Sequence, residues 1–153
     1  MKILVTGGSG FIGSAVCRMA VAQGHQIVNV DILTYAANPA NVSMLSAPDY
    51  QFEKVDIVDA DEIERVFKTH QPDAVMHLAA ESHVDRSISG PKAFLDTNIT
   101  GTFTLLQASR AYRDTLSAER QEAFRFHHIS TDEVYGDLEP NDPAFSEQTP
   151  YSP

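Results

Sequence analysis

The sequence predicts an α/β protein built on a parallel sheet with helices on both faces, and three observations carry that prediction. Segments with strand and helix periodicity alternate along the chain as far as the fifth strand, the arrangement that produces βαβ units. The strand-like run at residues 27–31 is apolar but for Asn29 up to its acidic end, as expected of a strand buried on both faces. The chain opens Met1-Lys2-Ile3-Leu4-Val5-Thr6-Gly7-Gly8-Ser9-Gly10-Phe11-Ile12-Gly13, an apolar run that feeds straight into a glycine-spaced turn and then into helical periodicity.

Each element follows from local chemistry. The first strand is expected over residues 2–6 and the first helix over 11–23, stopped by Gly24, a favourable residue just past a helix end. Residues 34–49, rich in Asn, Pro, Ala and Ser, read as a loop with room for a short helix. A third strand over 50–55 precedes a helix opened by Asp59, with Glu62 three residues on in near capping-box spacing. Ile63, Val66 and Phe67 give that helix its apolar stripe, leaving Asp61, Glu62 and Glu64 as a solvated face. Pro72-Asp73 ends it, and residues 74–79 form the fourth strand. Residues 80–87 read as a polar loop at the ligand-facing edge of the sheet. A long helical pattern spans 91–112, with Pro91 suited to a first turn. Asn98 and Gly101 interrupt its propensity, and Asn98 either satisfies backbone groups or faces the crevice. Residues 124–130 form the fifth strand, and the run from 137, with Pro140, Pro143, Pro150 and Pro153, is loop throughout.

Composition narrows the function classes. With 42% hydrophobic residues the chain can build one domain with a sizeable core. Eleven basic residues against 21 acidic ones give a formal charge of −10, which repels nucleic acid and anionic membrane surfaces. No apolar run approaches membrane-spanning length and the start does not resemble a signal peptide, so a cytoplasmic location is expected. The one cysteine, Cys17, falls in the apolar pattern of the first helix and reads as a small buried hydrophobe. The six histidines show no metal spacing, and His127 and His128 fall on opposite faces of a strand.

Two motifs carry chemistry. In the opening turn Gly7 permits the tight bend off the strand, Gly10 lets the backbone approach a pyrophosphate, and Gly13 lets the helix pack closely. The following helix turns its free N–H groups toward the phosphates. Asp31, about 20 residues on at the end of the next strand, completes a Rossmann-type dinucleotide fingerprint. The second motif is Ser130-Thr131-Asp132-Glu133-Val134-Tyr135-Gly136, a strand end that delivers hydroxyls and two adjacent carboxylates to the sheet's carboxyl edge, where ligands bind. The carboxylates serve either as an acid/base pair or as favourable charges in the first turn of a helix. To meet one substrate together they require the chain to have left the extended conformation by Asp132.

Residues 6–13, the segment Leu78-Ala79-Ala80-Glu81-Ser82-His83-Val84-Asp85-Arg86-Ser87 and the Thr131-Asp132-Glu133 triplet together resemble the extended short-chain dehydrogenases/reductases acting on nucleotide sugars, most closely the 4,6-dehydratase branch. The resemblance covers essentially the whole chain. It implies NAD as cofactor, with Phe11 and Ile12 along the pyrophosphate and Asp31 on the adenosine ribose, where an acid repels a 2′-phosphate. It implies Ile32, Leu33 and Thr34 on the adenosine side, Asp56 and Ile57 beside the adenine, and Leu78, Ala79, Ala80, Ser82 and Thr97 along the nicotinamide half. Ser82 and Thr131 would also bond the sugar. The implied substrate is dTDP-glucose: after oxidation at C4, Glu133 removes the C5 proton, Asp132 protonates the departing C6 hydroxyl, Thr131 bonds the C4 oxygen, and the hydride held by NAD returns to C6. A homodimer through helices beside the sheet, one of them over 91–112, is implied as well.

The chain departs from that family in one respect. The family uses a Tyr-x-x-x-Lys pair, and none of Tyr112, Tyr135 and Tyr151 has a lysine at that offset. The expectation is therefore an NAD-binding domain over residues 1–153, the N-terminal part of a longer enzyme and inactive by itself. Competing readings are a UDP-sugar 4,6-dehydratase or C4 epimerase, and a non-catalytic dinucleotide-binding module.

Overall fold

The computed structural model describes the backbone of all 153 residues and every side chain except those of Val84, Arg86 and Ser89. Five strands, β1 (Lys2–Thr6), β2 (Gln26–Val30), β3 (Tyr50–Glu53), β4 (Ala74–His77) and β5 (Arg125–His128), form one sheet in the order β3-β2-β1-β4-β5. Every pairing is parallel, with Thr6 beside Val30 on one flank and His77 on the other. The order runs outward from β1 in one direction and then from β4 in the other, so the topological switch point lies between those two strands.

The sheet is covered on both faces, as its apolar runs require. Leu4, Val28, Val30 and Val75 face a core completed by Ile63, Val66, Phe67 and Leu105, contributed by α2 (Ala60–His70) and α5 (Thr102–Asp114). Val5 and Ile27 face the other way, onto Cys17 of α1 (Phe11–Ala22). Neighbours in sequence thus alternate between two cores, which is why a period-two polar pattern is missing. Cys17 is fully buried and burial pushes its thiol up to about 12, the behaviour of an inert packing residue.

Several elements differ from the sequence expectation. The strands end earlier, β3 at Glu53 and β4 at His77, because the chain peels off the sheet at its carboxyl edge to shape a cleft. Residues expected as loop include a short helix α3 (Val84–Ser89), followed by α4 (Pro91–Phe94). The long helix over 91–112 is interrupted by a π-helical stretch, Leu95–Gly101, before α5 resumes α geometry, and this stretch contains the two residues whose propensity opposes a regular helix, Asn98 and Gly101. A further helix, α6 (Ala118–Ala123), precedes β5. Asp59 caps α2 as expected, accepting from the Glu62 N–H at 3.1 Å. The acidic face of α2 is not merely solvated: Glu62 pairs with Arg65, which reaches on to Glu53 at 2.8 Å, while His70 meets the same carboxylate at 2.6 Å. The Arg65 hydrogen bond holds the Glu53 carboxyl below its ordinary value, tying α2 to β3.

Candidate active site

The switch point is built around Gly7, whose φ of +71° is a left-handed value that favours glycine, and whose N–H bonds the Val30 carbonyl at 2.9 Å. A Cβ there would stand 2.9 Å from the Ala79 backbone. Gly13 meets a tighter limit, since its Cβ would lie 2.1 Å from the Gly7 carbonyl oxygen. The helix therefore lies directly on the turn. Gly10 donates back to Gly7 at 3.0 Å and opens α1, which has no side-chain cap and no acidic residue in its first turn. Uncapped N–H groups with the positive end of the helix dipole suit a pyrophosphate.

Asp31 is buried beneath this turn. Its Oδ2 accepts from the Ser9 N–H at 2.9 Å and its Oδ1 from the Leu33 N–H at 2.8 Å, so one carboxylate braces the glycine turn and the loop after β2. Each oxygen retains lone-pair capacity for a ribose hydroxyl. Leu33 takes a φ of +63° to make its bond, a backbone role that the side chain alone would not reveal.

On the opposite wall a buried relay fixes the end of β4. Thr6 Oγ1 accepts the Leu78 and Ala79 N–H groups, each at 3.2 Å, and lies 2.7 Å from His77 Nδ1. With its acceptor sites engaged, the Thr6 hydroxyl donates to Nδ1, so His77 carries its proton on Nε2 and donates it to Thr102 Oγ1 at 3.0 Å. Burial, with a smaller contribution from the charge of His128, pushes His77 down to about 4, and the neutral ring locks β1, β4 and α5 together. Asn98 adds a second lock. Its Oδ1 accepts from the Glu81 N–H at 2.8 Å and its Nδ2 donates to the Glu81 carbonyl at 2.9 Å, so it satisfies backbone groups.

These parts enclose a cleft of about 240 Å³. Of the residues expected around a dinucleotide, Gly7, Gly10, Asp31, Ile32, Thr34, Asp56, Ile57, Leu78, Ala79, Ala80 and Thr97 line it. Phe11, Ile12, Gly13, Leu33 and Ser82 do not: the Phe11 and Ile12 side chains point to solvent and Gly13 is a packing position. The sequence reading gave no role to Val30, Ala36, Ala37, Val55 and Glu81, which also line the cleft. Val30 and Val55 had no sequence signal beyond adjacency to Asp31 and Asp56, Ala36 and Ala37 lay in the stretch read as loop, and Glu81 belonged to the segment that carries the resemblance. The lining contains three carboxylates, Asp31, Asp56 and Glu81, and no basic residue. Asp56 also braces its own loop, accepting from the Val58 N–H at 3.1 Å. A dinucleotide fits this arrangement: ribose acceptors stand on one wall, an uncapped helix end at the centre and small residues, Ala79 and Ala80, on the other wall.

Thr131, Asp132 and Glu133 lie outside the cleft lining, one strand over at the same carboxyl edge, since His128 is in register with His77. The chain has left the extended conformation: Asp132–Tyr135 is a 3₁₀ turn, capped by Thr131 Oγ1 on the Glu133 N–H at 3.3 Å. Successive side chains on such a turn diverge by about 120° rather than the near-180° of a strand, and both carboxylates are exposed. Tyr135 stacks on Phe145 at 5.0 Å and lies 5.5 Å from Tyr151, pinning the following loop against this turn. Among the described residues no group of three or more His, Cys, Asp or Glu could hold a metal ion, and no helix is long and apolar enough to cross a membrane.

A family model described as GDP-mannose 4,6 dehydratase matches residues 4–153. The chain belongs to this family. It is 58% identical over 155 residues to a dTDP-glucose 4,6-dehydratase of Haemophilus influenzae, covering 100% of this chain and 46% of that one. Among solved structures it is similar to a dTDP-glucose 4,6-dehydratase from Streptomyces venezuelae with NAD bound, at a TM-score of 0.84 and 41% identity, covering 100% of this chain and 46% of that one. A Thermus thermophilus UDP-glucose 4-epimerase in complex with NAD gives a TM-score of 0.83 at 30% identity, with 100% and 45% covered. The near-equal scores mean that the shared fold does not separate dehydratase from epimerase. The chain spans about half the length of the curated relatives it matches.

Proposed function

We propose that residues 1–153 form the NAD-binding domain of a dTDP-glucose 4,6-dehydratase, which converts dTDP-glucose to dTDP-4-keto-6-deoxyglucose. The observation that carries this reading is the pairing of two exposed carboxylates, Asp132 and Glu133, on a 3₁₀ turn at the same carboxyl edge as the cleft lined by Gly7, Gly10 and Asp31. An epimerase eliminates nothing and has no use for such a pair, and the higher identity to the dehydratases points the same way. The chemistry a bound NAD supplies is reversible hydride storage, which leaves the net reaction a loss of water.

In this reading Asp31 receives the adenosine ribose and disfavours a 2′-phosphate by charge, with Asp56 on the same side. The α1 N-terminus at Gly10, Phe11 and Ile12 receives the pyrophosphate through backbone N–H groups, which explains why the last two side chains need not line the cleft. Leu78, Ala79, Ala80, Ser82 and Thr97 flank the nicotinamide half. Thr131 bonds the C4 oxygen and Ser82 a sugar hydroxyl. Glu133 takes the C5 proton, acidified once C4 is a ketone, and Asp132 delivers a proton to the departing C6 hydroxyl.

A homodimer belongs to the same reading. It is supported by Leu95, Ile99, Phe103 and Leu106, exposed large apolar residues at helical spacing along the interrupted helix. A cytoplasmic setting is consistent with the buried free thiol of Cys17. The test supplies dTDP-glucose and NAD to the protein that carries this chain and follows the sugar nucleotide by mass spectrometry. Loss of one water with unchanged total NAD supports the proposal; an isobaric C4 epimer supports the epimerase, and dinucleotide binding without turnover supports the binding module.

A further inference from the structure

The two walls of the cleft meet outside it. Tyr35 stands between Thr34 and Ala36, both lining residues of the wall after β2, and Glu81 belongs to the wall after β4. The Tyr35 hydroxyl donates to Glu81 Oε2 at 2.9 Å, and its ring stacks on His83 with centroids 5.6 Å apart and planes 29° from parallel. These residues are 46 and 48 positions apart and belong to segments that no strand pairing brings together.

Both ends of this contact are anchored. Asn98 holds the Glu81 N–H and carbonyl. On the Tyr35 side, the Ala37 N–H bonds Thr34 O at 3.0 Å, and the Asn38 N–H bonds Ser9 O in the glycine turn at 2.8 Å. A hydrogen bond and a ring contact thus tie two braced loops, one from each wall, directly to each other. Both side chains lie outside the two apolar cores.

We propose that Tyr35, Glu81 and His83 form a clasp between the cleft walls that retains a bound dinucleotide by slowing its release. The inference rests on the dinucleotide reading of the cleft. The three are positioning residues: a dinucleotide lying between the walls cannot leave until the clasp opens. Retention has a chemical purpose here, because the proposed reaction regenerates its cofactor within each turnover and gains nothing from exchange.

The test measures release of NADH, displaced by excess NAD in stopped flow and followed by NADH fluorescence, together with the association rate and the thermal midpoint of each variant. Tyr35→Phe, which deletes only the hydroxyl, is expected to speed release about two- to tenfold, the equivalent of one net hydrogen bond. Tyr35→Ala, which also removes the stack, should speed it further. Glu81→Gln keeps an acceptor oxygen and should show a smaller change than Tyr35→Phe. The association rate and the thermal midpoint should stay near those of the wild type, whereas a merely structural role would move the midpoint instead. Unchanged release in Tyr35→Phe and Tyr35→Ala, with NADH still bound, overturns the clasp and leaves the dinucleotide reading standing. A Glu81→Gln effect larger than that of Tyr35→Phe also overturns it, since charge rather than the bond would then be at work. A wild-type chain that binds no NADH removes the dinucleotide reading itself, and the clasp with it.

Discussion

Acidification should destabilise this chain through His77, well before its carboxylates begin to protonate. The folded ring refuses a proton for a geometric reason: Nδ1 accepts from a Thr6 hydroxyl whose acceptor sites already serve Leu78 and Ala79, and a proton on Nδ1 would set donor against donor. Burial adds the larger penalty, lowering His77 from 6.5 to about 4. Between those values the unfolded chain binds a proton that the folded chain does not, so stability rises with pH and is lost as pH falls from about 6.5 toward 4. At about 1.36 kcal/mol per pH unit the whole window is worth roughly 3 kcal/mol, and about 2 kcal/mol of it is gone by pH 5. Glu53 acts in a lower window: its carboxyl is held below the ordinary 4.5, so its contribution is present above that value and lost below it. Urea unfolding of the wild type and of His77→Gln at pH 7 and pH 5 separates the two, the wild type losing about 2 kcal/mol more than the variant. Nitrogen-15 shifts should report a neutral ring protonated on Nε2 down to pH 5. Equal losses in both proteins, an Nδ1–H tautomer, or titration of His77 near 6.5 would refute the relay.

Gly13→Ala should lower stability by roughly 2 kcal/mol or more, because its Cβ would stand 2.1 Å from the Gly7 carbonyl oxygen; an unshifted thermal melt would contradict that packing. Asp31→Ala should weaken NAD binding about tenfold or more and narrow the preference over NADP, since it removes the ribose acceptor along with the bonds to Ser9 and Leu33. Calorimetry decides it, and equal or tighter NADP binding by the wild type would discard the role of Asp31. In the protein that carries this chain, Glu133→Gln should cut turnover about 10²–10⁴-fold while oxidation at C4 survives, so that reduced cofactor accumulates on mixing with substrate. Wild-type-like turnover by that variant would remove Glu133 from the mechanism.

Much of the cleft lining could be read from the sequence because its parts are local. The glycine turn, Asp31 at a strand end, and the Asp59 cap each depend on neighbours within a few residues, and their backbone requirements leave few alternatives. The departures had non-local causes. Asn98 and Gly101 announced a disturbed helix, but that Asn98 binds the Glu81 backbone 17 positions away depends on how the π-helical stretch is placed against the loop after β4. Phe11 and Ile12, expected along a pyrophosphate, turn their side chains to solvent and leave only backbone groups at the uncapped start of α1 for an anion, which side-chain patterns do not encode.

The sequence by itself determined the fold class, a sheet with two apolar faces, and the glycine turn and strand-end Asp31 that the structure places in one cleft, because hydrophobic periodicity and glycine stereochemistry act over short spans of chain. Only the tertiary structure decided which histidine is neutral and on which nitrogen, that one carboxylate braces two loops, and that Tyr35 reaches Glu81 across the cleft. Those outcomes depend on distances between segments dozens of residues apart, which are set when the sheet brings their carboxyl ends to one edge and burial removes the water that would otherwise satisfy their polar groups.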